Sequence, residues 1–358
     1  MQMGRAILSL VGLAVGLASA QTRSSANGNS SKNNILFLMC DSMDGRVIDA
    51  SNGVSKYMAT PVLDGLAKDG VNFVRTFAAS PQCVPSRTSM LAGRRTDQIG
   101  AWSNSIGFAQ DPSGALDKAC VKAYDAKTCA MLGRTQKVNR TFFDALSSAM
   151  DVALFGKVDI GHNVLTRYGP QPTVAGWHGG PSLTIFARAA DIRKPTKPTP
   201  SAITNDKDDH VHPEDWKMHT ACIDWLHARA DVGRDGRPWF LYCSLNIPHP
   251  PFNTNLTWLQ SVDEASVKAT PPAWPAMSEL HPYDSYMTIS KGVGDGFKIS
   301  DYDVFKVRRT WYAMVSETDF LMGQVLEAAK ARDDYARTLV IFLSDHGEMN
   351  MEHRQVSL

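Results

Sequence analysis

The chain has 358 residues, enough for one large domain or two modest ones, and a 43% hydrophobic content allows a sizeable core. Its 37 basic and 36 acidic side chains leave a net charge of +1, which argues against an electrostatic partner such as bulk nucleic acid.

At the N-terminus, Arg5 precedes a largely apolar stretch over 6–17, and Ala18-Ser19-Ala20 offers a small-residue cleavage site ahead of Gln21. Residues 1–20 therefore read as a secretory signal peptide, too short to span a membrane comfortably. No later apolar run of that length is free of charges, so no stable membrane span is expected. Residues 21–33, rich in Ser and Asn, read as a disordered segment. Sequons at Asn29, Asn139 and Asn255 are consistent with a secretory glycoprotein.

Residues 34–358 then alternate strand and helix. Ile35 to Cys40 is a continuous apolar run, suited to a strand buried on both faces, and it ends at Asp41-Ser42-Met43-Asp44-Gly45. Thr60 and Pro61 read as the cap and first position of a helix that Gly70 ends, with Val62, Leu63, Leu66 and Ala67 on its apolar side. Val71 to Phe77 reads as a strand, and Ser86 to Leu91 as the first turns of a helix with Cys83 just before it. Helices are expected over 142–150, 215–230 and 311–332. Strands are expected over 152–155, 239–245 and 339–343. The strands lead into Gly156-Lys157, Pro248-His249-Pro250 and Ser344-Asp345-His346-Gly347-Glu348. This alternation implies an α/β fold with a large, mainly parallel sheet sandwiched by helices. Polar groups recur just past one buried strand after another, where open α/β sheets place their sites. Two stretches rich in Pro and Gly, 169–213 and 262–300, read as long surface excursions that could face a substrate.

The six cysteines show neither a zinc pattern nor a small disulfide scaffold. Cys120 and Cys129 could close a loop. Cys40 and Cys243 lie in apolar runs and read as buried thiols. Cys83 stands apart, in Cys83-Val84-Pro85-Ser86-Arg87, with a small-residue helix running on to Gly93.

That last segment resembles the signature of the sulfatase family, Cys-x-Pro-Ser-Arg before a helix ending in Gly. Further matching pieces occur in order over about 34–355: Asp41-Ser42-Met43-Asp44-Gly45-Arg46, Phe155-Gly156-Lys157-Val158-Asp159, Leu245-Asn246-Ile247-Pro248-His249-Pro250, Ser278-Glu279-Leu280-His281-Pro282 and Asp345-His346-Gly347-Glu348. They are most similar to the glucuronate-2-sulfatase branch. The resemblance implies an alkaline-phosphatase-like fold and hydrolysis of sulfate esters. The substrate would be an aryl sulfate or a sulfated glycosaminoglycan, with the 2-O-sulfate of glucuronate as the specific bond. The compartment would be the lysosome or the extracellular space.

It also implies a mechanism. Cys83 would be oxidised by the formylglycine-generating enzyme. The hydrate of the resulting aldehyde offers one hydroxyl to attack sulfur and another to expel sulfate. Asp41, the formylglycine from Cys83, Asp345 and His346 would hold one divalent cation. Carboxylate oxygens suit calcium, whereas imidazole prefers transition metals. Many members carry Asn where His346 stands and a second Asp where Ser42 stands. The glucuronate-2-sulfatase branch resembles this chain at both positions, so calcium remains the expected ion. Arg87 would hydrogen-bond the formylglycine hydroxyl. Lys157 would reach the sulfate as a point charge. His281 would contact sulfate or donate the proton, with His249 as another candidate.

The chain departs from the family pattern in two ways. Where many sulfatases place a His two residues after the strand-end Lys, this chain has Asp159, with His162 further on. Val356-Ser357-Leu358 does not resemble the family's continuation, which supplies another active-site Lys and further strands. The catalytic domain, 34–358, is therefore expected to be incomplete at its C-terminus. Two other readings follow: a truncated, inactive or binding-only product, and a phosphatase or phosphodiesterase of the same superfamily. Relatives of the latter kind usually use Ser or Thr with two transition metals.

Overall fold

The computed structural model describes residues 33–48, 54–99, 101, 104, 141–159, 203–204, 210–229, 237–267, 271, 273–290 and 300–355. The leader, the sequons at Asn29 and Asn139, the pair Cys120 and Cys129, and His162 lie outside them.

Four parallel strands form the central sheet: β1 (Asn34–Cys40), β2 (Asp151–Gly156), β3 (Trp239–Ser244) and β4 (Thr338–Ser344), in the order β2-β3-β1-β4. β1 is central, with Ile35 beside Phe240 on one side and Leu339 on the other. Alternate residues of the strands enter two cores. Leu36, Leu38, Phe155, Leu241 and Cys243 pack with α4 (Pro213–Ala228) and α6 (Asp301–Lys330). Phe37, Met39, Leu154, Phe240 and Tyr242 pack on the opposite face with Leu91 of α2 (Cys83–Ala92) and Phe143 of α3 (Phe142–Ser147). A strand covered on both faces has no polar side to show, which explains the unbroken apolar run of β1. β4 lies at the sheet edge, and all seven of its residues are only half-buried.

Several expectations need correction. Val71 to Phe77 is not a strand: Val71, Phe73, Val74 and Phe77 are exposed, and no described strand pairs with them. Thr60 does not cap α1 (Pro61–Asp69). The Asp319 carboxylate of α6 accepts the N–H groups of Val62 and Leu63 instead, at 3.1 and 2.8 Å. α6 begins ten residues before the predicted 311, at Asp301, where Ser300 and Asp303 form a capping box. Cys243 is not a thiol. It forms a disulfide with Cys222 that ties β3 to α4, while Cys40 and Cys83 are free and buried. The 262–300 stretch contains a helix, α5 (Pro282–Ser290). Asn255 is buried and its side-chain oxygen accepts the N–H of Trp258 as a helix cap.

Two features of this framework are directly testable. Gly156 ends β2 with φ of +84°, and a Cβ there would lie 1.8 Å from the carbonyl oxygen of Ser244. Gly156→Ala must force the ends of β2 and β3 apart, lowering stability by about 2–4 kcal/mol in chemical denaturation. Gly65→Ala, in α1 with open space around it, provides the contrast and should be neutral or stabilising. Equal effects would refute the close approach. The second feature is acid stability. Burial pushes the Glu317 carboxyl of α6 up to about 8 and that of Asp215 in α4 up to about 7. The folded chain therefore keeps protons that the unfolded chain has released, and this stability is present at acid pH and lost as the pH rises through those values. Glu317→Gln retains an acceptor for the Trp216 indole N–H (2.8 Å in the parent) but cannot ionise. Relative to the parent it should gain up to about 1.4 kcal/mol per pH unit between about pH 5 and 8. Parallel stability curves would contradict a protonated Glu317.

Candidate active site and metal centre

All four central strands deliver side chains to one place, at their carboxyl ends. Asp41 follows β1, Lys157 follows β2, Asn246 and His249 follow β3, and Asp345 and His346 follow β4. α2 points its first residue, Cys83, into the same place, so the helix begins three residues earlier than Ser86. Gly93 closes that helix in the left-handed conformation (φ +60°).

Ligand atoms of Asp41, Cys83, Asp345 and His346 all lie within 4.8 Å of one another, and all four residues are buried. These are the predicted cation ligands. The donor set fits a cation for a specific reason. His346 Nδ1 lies 2.8 Å from the Gly347 carbonyl oxygen, which can only accept, so in the neutral ring Nε2 carries the lone pair. Nε2 faces Asp41 Oδ1 at 3.8 Å and Asp345 Oδ1 at 3.9 Å. Asp41 Oδ1 also accepts the Ser42 hydroxyl at 2.7 Å, and Asp345 Oδ1 the N–H groups of Ser42 and His346 at 3.1 and 2.8 Å. These neutral donors leave two carboxylates and a ring nitrogen converging in a buried space, where a cation would neutralise the remaining charge. Residue 83 adds a fourth donor, its Sγ 3.3 Å from His346 Nε2 and 3.6 Å from Asp41 Oδ1.

Arg87 and Lys157 supply the fixed positive charge. Burial pushes Asp41 up, but Lys157 at 2.7 Å and Arg87 at 3.2 Å outweigh it and hold its carboxyl well below the usual range. Asp345 goes the other way: burial lifts it to about 6 despite Arg87 at 2.7 Å, helped by the charge of Asp41. Burial and then Asp41 raise the Cys83 thiol, so the unmodified side chain is a protonated thiol and a poor nucleophile. Lys157 is charged. Burial opposes this, and Asp41 and Asp159 (3.6 Å) prevail.

Arg87 is buried, and none of its hydrogen bonds goes to the Cys83 thiol. Its guanidinium is wholly buried. It donates to Asp345 Oδ2, Asp41 Oδ2, the carbonyl oxygens of Lys157 and Cys40, Ser244 Oγ and Tyr242 Oη. It orients both acids and joins the strand ends. Lys157 Nζ donates to Asn246 Oδ1 at 3.2 Å and lies 3.6 Å from Cys83 Sγ. His249 is half-buried and close enough to lower the Asp41 carboxyl through its charge. His281 is different. It is exposed just before α5, its Nδ1 accepts the N–H of Tyr283 at 3.2 Å, and no contact joins it to the cluster.

Two residues here escaped sequence reasoning. Asn246 was part of a matched segment without a role of its own. Asp215, in the first turn of α4, is buried, and its carboxylate accepts the N–H of Asn246 at 2.5 Å. Acids are common at helix starts, so nothing in the sequence marked it.

Comparison with known proteins gives the family and the fold. The chain is 28% identical to arylsulfatase K of Canis lupus familiaris over 353 residues, which is 94% of this chain and 57% of the relative. It is 28% identical to arylsulfatase K of Homo sapiens over 337 residues, or 90% of this chain and 54% of the relative. The chain thus spans a little over half the length of these curated relatives. Among solved structures, a phosphonate monoester hydrolase of Agrobacterium radiobacter superposes with a TM-score of 0.60 at 20% identity, over 91% of this chain and 65% of that one. A 2-O GAG sulfatase superposes at 0.55 and 16% identity, over 91% and 60%. Both show the fold, a parallel sheet flanked by helices of the alkaline-phosphatase-like kind. The family profile described as Sulfatase matches residues 33–356, essentially all of the described chain and every residue of the cluster, and the chain therefore belongs to the sulfatase family.

Proposed function

We propose that this chain hydrolyses sulfate monoesters at the Asp41, Cys83, Lys157, Asp345 and His346 cluster. The observation that carries this reading is the convergence of a cation-binding donor set, a buried lysine and the signature cysteine within a few ångströms. A sulfate ester is anionic with a poor leaving group, so hydrolysis needs positive charge, a strong nucleophile and a proton donor. Asp41, Asp345, His346 and residue 83 would hold a divalent cation, calcium by the preponderance of hard oxygen donors, which supplies charge neutralisation. Formylglycine derived from Cys83 supplies the nucleophilic oxygen that the protonated thiol lacks.

The chain's own side chains do the rest. Lys157 holds its ammonium beside residue 83, where a sulfate oxygen would meet it. Arg87 keeps the two acids aimed at the common point. His249, next to the cluster, is the proton donor to the departing oxygen. His281 has no contact with the cluster, and its role is to meet the substrate beyond the sulfate group.

The finer substrate, the 2-O-sulfate of glucuronate in glycosaminoglycans, is supported by the likeness to arylsulfatase K. A route through the secretory pathway to the lysosome or the exterior is supported by the leader-like N-terminus. No described helix is long and apolar enough to cross a membrane.

Coexpression with formylglycine-generating enzyme and mass spectrometry of the Cys83 peptide test the proposal. A loss of about 18 Da, thiol replaced by aldehyde, is expected. The converted protein should turn over an aryl sulfate in preference to the matching aryl phosphate. Cys83→Ala should lower kcat/KM for the sulfate about 10³-fold or more. An unmodified thiol, or preference for the phosphate, would contradict the reading. Turnover of neither ester would favour a binding-only product.

A further inference from the structure

Asp215 uses its carboxylate in an unusual way for an acid in the first turn of a helix. Its neighbour Glu214 is exposed and pairs only with Lys217, 3.9 Å away on the same helix. Asp215 is buried and turns away from its own helix. It accepts the N–H of Asn246 at 2.5 Å and also the N–H of Ile247. Those amides begin the loop after β3. The preceding Leu245 N–H still finds an acceptor within the sheet, the carbonyl oxygen of Met39, at 2.9 Å. Beyond it the ladder ends, and the Asp215 carboxylate takes over as acceptor.

This loop carries two site residues. Asn246 receives Lys157 Nζ at 3.2 Å, and His249 lies three residues on. Of the partners of that ammonium, Asp41 belongs to the cation-binding set. Asn246 is the partner that comes from the loop after β3. A small cleft beside Lys157, Asp215 and Asn246 borders this corner.

We infer that Asp215 is a positioning residue for sulfate-ester hydrolysis: by holding the Asn246 and Ile247 amides it fixes Asn246, and through it the direction of Lys157. The inference rests on the reaction proposed above and adds a residue to it.

The test uses formylglycine-converted full chain. In Asp215→Ala, kcat/KM for an aryl sulfate should fall about 10- to 100-fold, the scale of an ångström-level displacement of a charged group. Asp215→Asn keeps one carbonyl acceptor and should recover most of the loss. In an Asn246→Ala background, Asp215→Ala should cost little more, because both act along one path. Amide hydrogen exchange gives a readout independent of turnover. Asp215→Ala should speed exchange in residues 245–252 alone, whereas the core variant Met218→Ala on the same helix should loosen α4 without singling out that loop. Additive losses, an unchanged loop, or a loop opened equally by Met218→Ala would each overturn the assignment. A parent that turns over no sulfate ester would sink the proposed reaction, and the exchange experiment would still decide whether Asp215 holds the loop.

Discussion

One buried guanidinium organises the functional end of this molecule. Arg87 has five N–H donors in a rigid plane, and they reach groups at or just beyond the ends of all four central strands: the Cys40 carbonyl and Asp41, the Lys157 carbonyl, Tyr242 and Ser244, and Asp345. A lysine could place charge there, but it could not bridge so many directions. An isolated buried cation is costly, and two buried carboxylates are costly too. Together they satisfy one another, and the strand ends are drawn into a fixed constellation as a consequence.

The arrangement still leaves work for another ion. Arg87 and Lys157 take the outer oxygens, Oδ2, of the two acids. The Oδ1 atoms face Nε2 of His346, and that of Asp41 also faces the sulfur of residue 83. Fixed cations outside and electron-rich atoms inside describe a cradle for positive charge. The reach of Lys157 past Asp41 toward residue 83 then depends on Asn246, and Asn246 depends on Asp215. The site is thus built in layers, from a helix turn through a loop amide to an ammonium.

Much of this was legible in the sequence. The apolar run of β1 ending at Asp41, the Gly156-Lys157 and Asp345-His346 strand ends and the Cys83 pentapeptide each carried a local signal, and together they located the cluster and the fold. What escaped was long-range. Asp319 caps α1 from 256 or more residues away, overriding the local promise of Thr60. Cys243 looked like a buried thiol because its strand is apolar, and only the docking of α4 shows Cys222 beside it. The six partners of Arg87 come from distant segments, so its role in joining the strand ends was not readable locally. Val71 to Phe77 had strand composition, but a strand needs a neighbour, and no described residue supplies one. The start of α6 is marked by the capping box of Ser300 and Asp303, ahead of the apolar periodicity that begins at Trp311.

The central claim is that Arg87 aims two acids at a cation site completed by His346. Isothermal titration of the metal-stripped chain with calcium tests it most directly. The account predicts saturable binding of one ion that raises the melting temperature, with binding lost in Asp345→Asn while the fold survives. An absence of binding, or calcium binding that persists unchanged when both Asp41 and Asp345 are replaced by Asn, would contradict it.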